Sequence, residues 1–252
     1  PRCRILANFG MGYNHIDVAA ARAAGIAVTN TPGAVTEATA DIAMTLILMA
    51  TRRASEGERW VRSGTWPGWE PMQLLGFQIG GRTLGIVGMG NIGQAVARRC
   101  HAGWGMRVVF FNRSVVADPG VPAEQKPTLA AVMAEADVVV IAVPGGRATR
   151  HLIDAAAIGA MKPTAYLVNV ARGDVIDEGA LIAALEARRI AGAGLDVYEF
   201  EPKVPERLRA LDNVTLLPHL GTSTLQARTA MGMVAATNLF AFLDGVPLPN
   251  PV

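Results

Sequence analysis

The chain has 252 residues, 51% of them apolar and 17% charged, a balance that supplies a sizeable core and excludes intrinsic disorder. Its 23 basic and 21 acidic side chains leave a net charge of +2, with no basic cluster or aromatic ladder of the kind that follows nucleic acid. The most apolar window, residues 42–50, falls far short of the ~20 residues that cross a bilayer, and Cys3 and Cys100 have neither CxxC nor metal-ligand spacing. The expectation is a cytoplasmic globular protein with two inert thiols, no metal, and neither membrane nor nucleic acid as a partner.

From the N-terminus, residues 4–7 read as a strand, 16–24 as a helix and 25–29 as a second strand, half of a small α/β unit. The loop Asn8-Phe9-Gly10-Met11-Gly12-Tyr13-Asn14-His15 joins strand to helix, and its two glycines would bare backbone N–H groups. It reads equally as a cradle for a small carboxylate and as a tight turn. After the turn Thr31-Pro32-Gly33 comes a helix over 36–53, with Thr36 placed to cap it and Glu37 and Asp41 in its early turns. It is apolar nearly all round and should be buried. Residues 52–81 break this pattern, setting Trp60, Trp66 and Trp69 among Gly64, Pro67, Gly68 and Pro71. So much aromatic surface in an irregular segment points to a subunit interface rather than to a loop folded on its own core.

An apolar run then breaks into Gly88-Met89-Gly90-Asn91-Ile92-Gly93, and a helical pattern follows at once. This is the strand, turn and helix opening of a dinucleotide-binding unit. Gly88 permits the turn, Gly90 lets backbone approach a pyrophosphate, Gly93 packs helix on strand, and the helix start offers the N–H groups of Asn91 and Ile92. The next strand, 106–111, ends in Asn112-Arg113-Ser114, where an NAD-selective site would place an acid. With Asn112 neutral, Arg113 able to pair with a 2′-phosphate and Ser114 able to donate to it, the sequence predicts NADPH as preferred cofactor and NADH as tolerated. Further strands are expected at 138–142, 165–170, 194–197 and 214–217, and helices at 91–102, 129–134, 155–161, 178–188 and 224–242. The strands are continuous apolar runs, so six of them should form a doubly wound parallel sheet, a Rossmann-type α/β fold. The proline-rich tail 247–251 reads as unstructured.

Ligands of such a sheet sit outside the carboxyl ends of its strands. Three of those ends read Asn169-Val170-Ala171-Arg172-Gly173-Asp174, Gly194-Leu195-Asp196-Val197-Tyr198-Glu199-Phe200-Glu201-Pro202 and Leu217-Pro218-His219-Leu220-Gly221. An arginine able to clamp a carboxylate, several acids and one histidine thus converge on the edge that carries the glycine-rich turn, and these are the parts a 2-oxo acid reductase requires. His15, His101 and His151 read as structural or solvated, and Asp174, Asp177 and Glu178 as the cap and first turn of the next helix.

Taken in order, these motifs together with residues 8–17 and Asn30-Thr31-Pro32-Gly33 resemble the D-isomer-specific 2-hydroxyacid dehydrogenases, and among them the glyoxylate/hydroxypyruvate reductases. The resemblance implies that Arg172 binds the substrate carboxylate and carbonyl, that His219 is the acid/base and that Glu201 is its partner. It further implies that Asp196 contacts the nicotinamide side, that Met11 and Gly12 offer N–H groups to the carboxylate, that Thr39 touches the pyrophosphate, and that Trp66 or Trp69 belongs to the dimer arm. In domain terms it implies a dinucleotide-binding domain over 31–221, with 52–81 as the arm, and part of a smaller flavodoxin-like substrate domain over 1–30 joined by 222–252. Members carry a further stretch of that domain ahead of the equivalent of residue 1. Where the family usually has Pro-Leu-Thr after the third strand, this chain has Pro144-Gly145-Gly146, so of the cofactor contacts of that loop only Pro144 is retained. The rivals are a 3-phosphoglycerate dehydrogenase and, from another class, a dinucleotide-sensing interaction protein without turnover.

Overall fold

A computed structural model describes residues 2–252. They form two compact units, one running up to Thr39 and resuming with Gly221–Val252, the other comprising Ala40–Leu220. The first unit opens with β1 (Ile5–Ala7), α1 (Val18–Ala23) and β2 (Ala27–Thr29), the two strands pairing in parallel with Ile5 opposite Ala27. Asp17 caps α1 by accepting from the Ala20 N–H at 2.9 Å.

Helix α2 (Thr36–Thr51) runs on into the second unit, where Ala40, Ala43, Leu46 and Ile47 are wholly buried. The segment after it is not irregular throughout, as its composition suggests. Residues 54–63 form α3 (Ala54–Ser63), bounded by left-handed Arg53 and Gly64 and without one buried residue. The Arg53–Glu56 and Arg62–Glu58 side-chain pairs support it locally, and Ser55 Oγ, 2.7 Å from Thr215 Oγ1, ties it to the sheet.

The second unit is built on a sheet of seven strands: β3 (Thr83–Val87), β4 (Arg107–Phe111), β5 (Ala123–Gln125), β6 (Val138–Ile141), β7 (Tyr166–Asn169), β8 (Gly192–Leu195) and β9 (Val214–Leu216). All pair in parallel, in the order β5-β4-β3-β6-β7-β8-β9, so the chain reverses direction of growth between β3 and β6 and creates a switch point there. The sheet therefore has one strand more than the six expected. The extra strand, β5, is an edge of three residues, Ala-Glu-Gln, too short and too polar to register as a buried run. Helices α4 (Asn91–Trp104), α5 (Leu129–Glu135), α6 (Ala155–Ala160), α7 (Glu178–Glu186) and the short α8 (Glu206–Arg209) complete the unit. One core lies where α2 and α4 meet the sheet, around Leu46, Ile86, Val96 and Phe110; the other lies under α5, α6 and α7, around Met133, Ile158 and Leu181. Cys100 is buried in the first of these, and desolvation pushes its thiol up to about 12 against the opposing charge of Arg99.

Asp137 ties three segments together at the start of β6. Its carboxylate accepts from the Thr83 N–H at 2.9 Å and from Lys162 Nζ at 2.7 Å. Burial works against its charge, but the hydrogen bonds from Lys162 and Thr83 outweigh burial and hold the carboxyl below its ordinary range. A carboxyl depressed on folding stabilises the fold above its unfolded pKa and stops doing so as pH falls through the folded one. Asp137→Asn should accordingly cost about 1–3 kcal/mol in urea unfolding at pH 7, and the gap from the parent should narrow in acid. A gap equal at both pH values would contradict this.

The chain ends back in the first unit. Helix α9 (Leu225–Leu243) is capped by Thr224, and beyond it the tail is ordered rather than unstructured. Asn250 exchanges two hydrogen bonds with buried Asn238, Pro251 bridges Thr29 in antiparallel fashion, and the Val252 N–H donates to the Val28 carbonyl at 3.0 Å. Backbone pairing, which composition does not reveal, thus covers the free edge of β2. No helix among the described residues is long and apolar enough to cross a membrane.

Candidate active site

Three consecutive strands carry the candidate chemistry at their carboxyl ends. Beyond β7 the turn bearing Arg172 is stapled by Asn169, whose buried carboxamide accepts from the Ala171 N–H at 3.0 Å and donates to the Arg172 carbonyl at 2.9 Å. Gly173 is there for close approach rather than for turn freedom, since a Cβ would overlap the Tyr198 carbonyl carbon at 1.8 Å. Arg172 itself donates through Nη1 to the Ala171 carbonyl at 2.6 Å, and its stem lies over Gly145, where a Cβ would stand 2.7 Å from its Cγ.

Beyond β9, His219 adopts φ +55°, a left-handed conformation that costs a residue with a Cβ and persists only where the surroundings enforce it. Asp196, at the end of β8 and 1% exposed, does the enforcing: its carbonyl accepts from the His219 N–H at 2.9 Å and its Oδ1 from the Leu220 N–H at 2.7 Å. So held, His219 brings Nδ1 to 2.8 Å from Glu201 Oε2, while Glu201 Oε1 accepts from the Tyr198 N–H at 3.0 Å. The Tyr198 hydroxyl donates to the Leu217 carbonyl at 2.8 Å. Burial, with the nearby charges of Asp196, Glu201 and Glu178, raises its pKa above the ordinary phenol range, so it stays a donor. The bracing roles of Asp196 and Tyr198 depend on partners in another loop and that of Asn169 on the backbone of its own turn; none was legible in the sequence, although all three lie inside the motifs it displays. His151, taken as structural or solvated, pairs with Glu199 at 2.8 Å, and His101 with the Met106 carbonyl at 3.0 Å.

The glycine-rich turn follows β3. Gly88 has φ +99° and Gly93 would place a Cβ 2.2 Å from the Gly88 carbonyl oxygen, so the fold itself requires both. Gly90 is different. It has an ordinary φ of −84°, and a Cβ there would meet nothing within 4 Å. Gly90 is the N-cap of α4, and no side chain caps that helix start, whose first-turn N–H groups need partners from outside the helix. These residues therefore fit a dinucleotide pyrophosphate. Asn112-Arg113-Ser114 follows β4. Asn112 Nδ2 donates to the Ser114 carbonyl at 3.0 Å and to Ser114 Oγ at 3.2 Å, and Arg113 is exposed. Pro144, beyond β6, accepts at its carbonyl from Thr149 Oγ1 at 2.7 Å.

Other expected site residues belong to the first unit. Asn8 Nδ2 draws the carbonyls of Gly10 and Gly12 to itself at 2.7 and 3.1 Å, and Asn30 Nδ2 takes that of Met11 at 2.8 Å. The N–H groups of Met11 and Gly12 are without partners among the described residues, the arrangement a carboxylate nest needs. Thr39 is buried and donates its hydroxyl to the Gly221 carbonyl at 3.2 Å.

Residues 44–221 match the family described as D-isomer specific 2-hydroxyacid dehydrogenase, NAD binding domain. A glyoxylate reductase of Pyrococcus furiosus is 48% identical over 258 aligned residues, spanning all of this chain and 76% of that protein. A glyoxylate reductase of Aeropyrum pernix is 45% identical over 259, spanning all of this chain and 77% of its own length. Among solved structures, the NADPH-dependent glyoxylate/hydroxypyruvate reductase of Sinorhizobium meliloti in complex with NADP and malonate superposes with a TM-score of 0.91 at 40% identity, covering 99% of this chain and 77% of that one. A glyoxylate reductase from Paecilomyes thermophila gives 0.92 at 38% identity, covering 99% and 75%. With a parallel sheet of this order, a glycine-rich turn open to a dinucleotide and an Arg, Glu and His on adjacent strand ends, the chain belongs to the D-isomer-specific 2-hydroxyacid dehydrogenases.

Proposed function

We propose that this protein reduces small 2-oxo acids, glyoxylate and hydroxypyruvate foremost, to D-2-hydroxy acids, as a cytoplasmic homodimer using NADPH in preference to NADH. The observation that carries the reading is the His219–Glu201 pair, Nδ1 to Oε2 at 2.8 Å, on the ligand edge of the sheet with Arg172 two strands away. With Nδ1 held by Glu201, a protonated imidazole has one N–H left, at Nε2, to give to the oxygen of a carbonyl undergoing reduction. Glu201 fixes the ring and offsets its positive charge, and the guanidinium of Arg172 grips the substrate carboxylate and polarises the carbonyl. When bound, the dinucleotide supplies the hydride. Gly88, Gly90, Asn91, Ile92 and Gly93 would hold its pyrophosphate, with Thr39 a further contact, Asn112, Arg113 and Ser114 its adenosine ribose, and Pro144 and Asp196 its nicotinamide side. In the first unit, the N–H groups of Met11 and Gly12 can hold a small carboxylate.

The cofactor preference rests on the loop after β4. No acid stands there to repel a 2′-phosphate, Arg113 is exposed, and Ser114 Oγ, already accepting from Asn112, keeps its own proton to donate. The Sinorhizobium meliloti relative is described as NADPH-dependent, which supports the same reading. Initial rates on glyoxylate, hydroxypyruvate, pyruvate and phosphohydroxypyruvate with each cofactor test it. One of the first two with NADPH should give the highest kcat/KM. No oxidation of either cofactor would leave the non-catalytic sensor, a best rate on phosphohydroxypyruvate would favour the 3-phosphoglycerate enzyme, and a higher kcat/KM with NADH would reject the preference.

The dimer rests on Trp69 and Met72, 79% and 77% exposed in the arm, with Trp66 and Leu75 about half exposed beside them. Sedimentation velocity at micromolar concentration should return twice the mass of the chain, and a monomer would overturn this part of the proposal.

A further inference from the structure

The loop that faces the adenosine end of the dinucleotide site is held by a residue outside it. β5 pairs with β4 so that Gln125 lies opposite Phe110, and its side chain turns toward the 112–116 loop. Gln125 Oε1 accepts from the Val116 N–H at 3.0 Å, and Nε2 donates to the carbonyls of Ser114 at 3.0 Å and Asn112 at 3.3 Å. The Ser114 carbonyl thus receives two donors, Gln125 Nε2 and Asn112 Nδ2, and the turn is drawn shut on its inner side. What remains outward is Arg113, exposed, and the Ser114 hydroxyl proton. A carboxamide is the one side chain here that can do this, because the turn presents two carbonyls and one N–H to a single residue and only Asn or Gln offers both donors and an acceptor.

We propose that Gln125 is the positioning residue for cofactor selectivity, closing the 112–116 loop so that Arg113 and Ser114 are presented together to the 2′-phosphate of NADPH. This rests on the reading of the protein as NADPH-preferring. The carboxamide is half-buried and reaches only the loop's backbone and the edge strand, so its loss frees the loop and leaves the glycine-rich turn, which is built from β3 and α4, as it was.

Equilibrium binding of NADPH and of NADH, followed by nicotinamide fluorescence without substrate, gives the test, with the parent, Gln125→Met and Arg113→Ala. Met keeps the length of the side chain and removes its three hydrogen bonds. Gln125→Met should raise the Kd for NADPH about tenfold, the size of a lost oriented charge-assisted contact, and move that for NADH less than about twofold, so the ratio of the NADH Kd to the NADPH Kd falls. Arg113→Ala should lower the ratio at least as far. A structural effect would instead weaken both cofactors alike, and that outcome, or an unchanged ratio in Gln125→Met beside a reduced one in Arg113→Ala, overturns the role of Gln125 alone. A parent that binds NADH as tightly as NADPH overturns the cofactor reading itself, and the inference with it. Adenosine 2′,5′-bisphosphate against adenosine 5′-phosphate, measured calorimetrically on the same proteins, should repeat the change in ratio.

Discussion

His219→Ala should lower turnover on glyoxylate by about 10²–10⁴-fold, the range for loss of a positioned general acid. The His219 side chain is about half exposed and packs no core, so the fold should survive its removal. Its backbone is the complication. At φ +55° alanine carries a strain that asparagine tolerates far better, so His219→Asn keeps the turn that Asp196 pins and still offers no acid. Both variants should fall together. If the asparagine variant kept near-parental turnover, or if the alanine variant lost activity only in step with a lowered Tm, His219 would not be the acid. Glu201→Gln extends the argument, because Glu201 uses two oxygens as acceptors, one for the His219 ring and one for the Tyr198 N–H. A carboxamide has only one. Its oxygen can accept from the His219 ring, leaving the NH₂ against the Tyr198 N–H, or from Tyr198, leaving the NH₂ against the imidazole; the charge is lost either way, and turnover should drop in both cases.

What could be read ahead of the coordinates follows from which interactions are local. The turn 88–93, the buried strand runs and the strand-end sequences at 172, 201 and 219 are sequence-adjacent patterns, and hydrophobic periodicity with a topological rule brings them to one edge. β5 escaped notice because a three-residue polar edge strand has no buried face to write into the chain, and α3 because none of its residues is buried. The ordered tail escaped because its stability is backbone pairing to Val28 and Thr29, more than 200 residues earlier. The same holds within the site. His219 could be proposed as the acid from its place after a strand and a proline, but that Asp196 imposes its left-handed backbone and Gln125 shuts the 112–116 loop are pairings between side chains and backbone in other segments. Motif reading names the residues proposed to meet ligand; several of the residues that aim them surface only when the loops are laid side by side.

Arg172→Lys should be among the most damaging single changes after those at His219, although charge is preserved. The guanidinium already spends Nη1 on the Ala171 carbonyl at 2.6 Å, and this bond, with the stem lying across Gly145, fixes the plane of the fork. The planar fork matches the two oxygens of a carboxylate and can reach the neighbouring carbonyl oxygen from the same plane. A lysine has one nitrogen for all of these partners. If it bonds Ala171 it retreats from the substrate, and if it reaches the substrate it has no tether and no second point of contact. Losing a charged hydrogen bond worth about 1.5–3 kcal/mol predicts a fall in kcat/KM of roughly 10–150-fold. The division of that loss identifies the role. A rise in KM together with a fall in kcat means that Arg172 holds the carboxylate and also stabilises charge on the carbonyl oxygen as it is reduced, whereas a rise in KM with kcat intact would confine it to binding. Parental kcat and KM together would remove Arg172 from the site altogether.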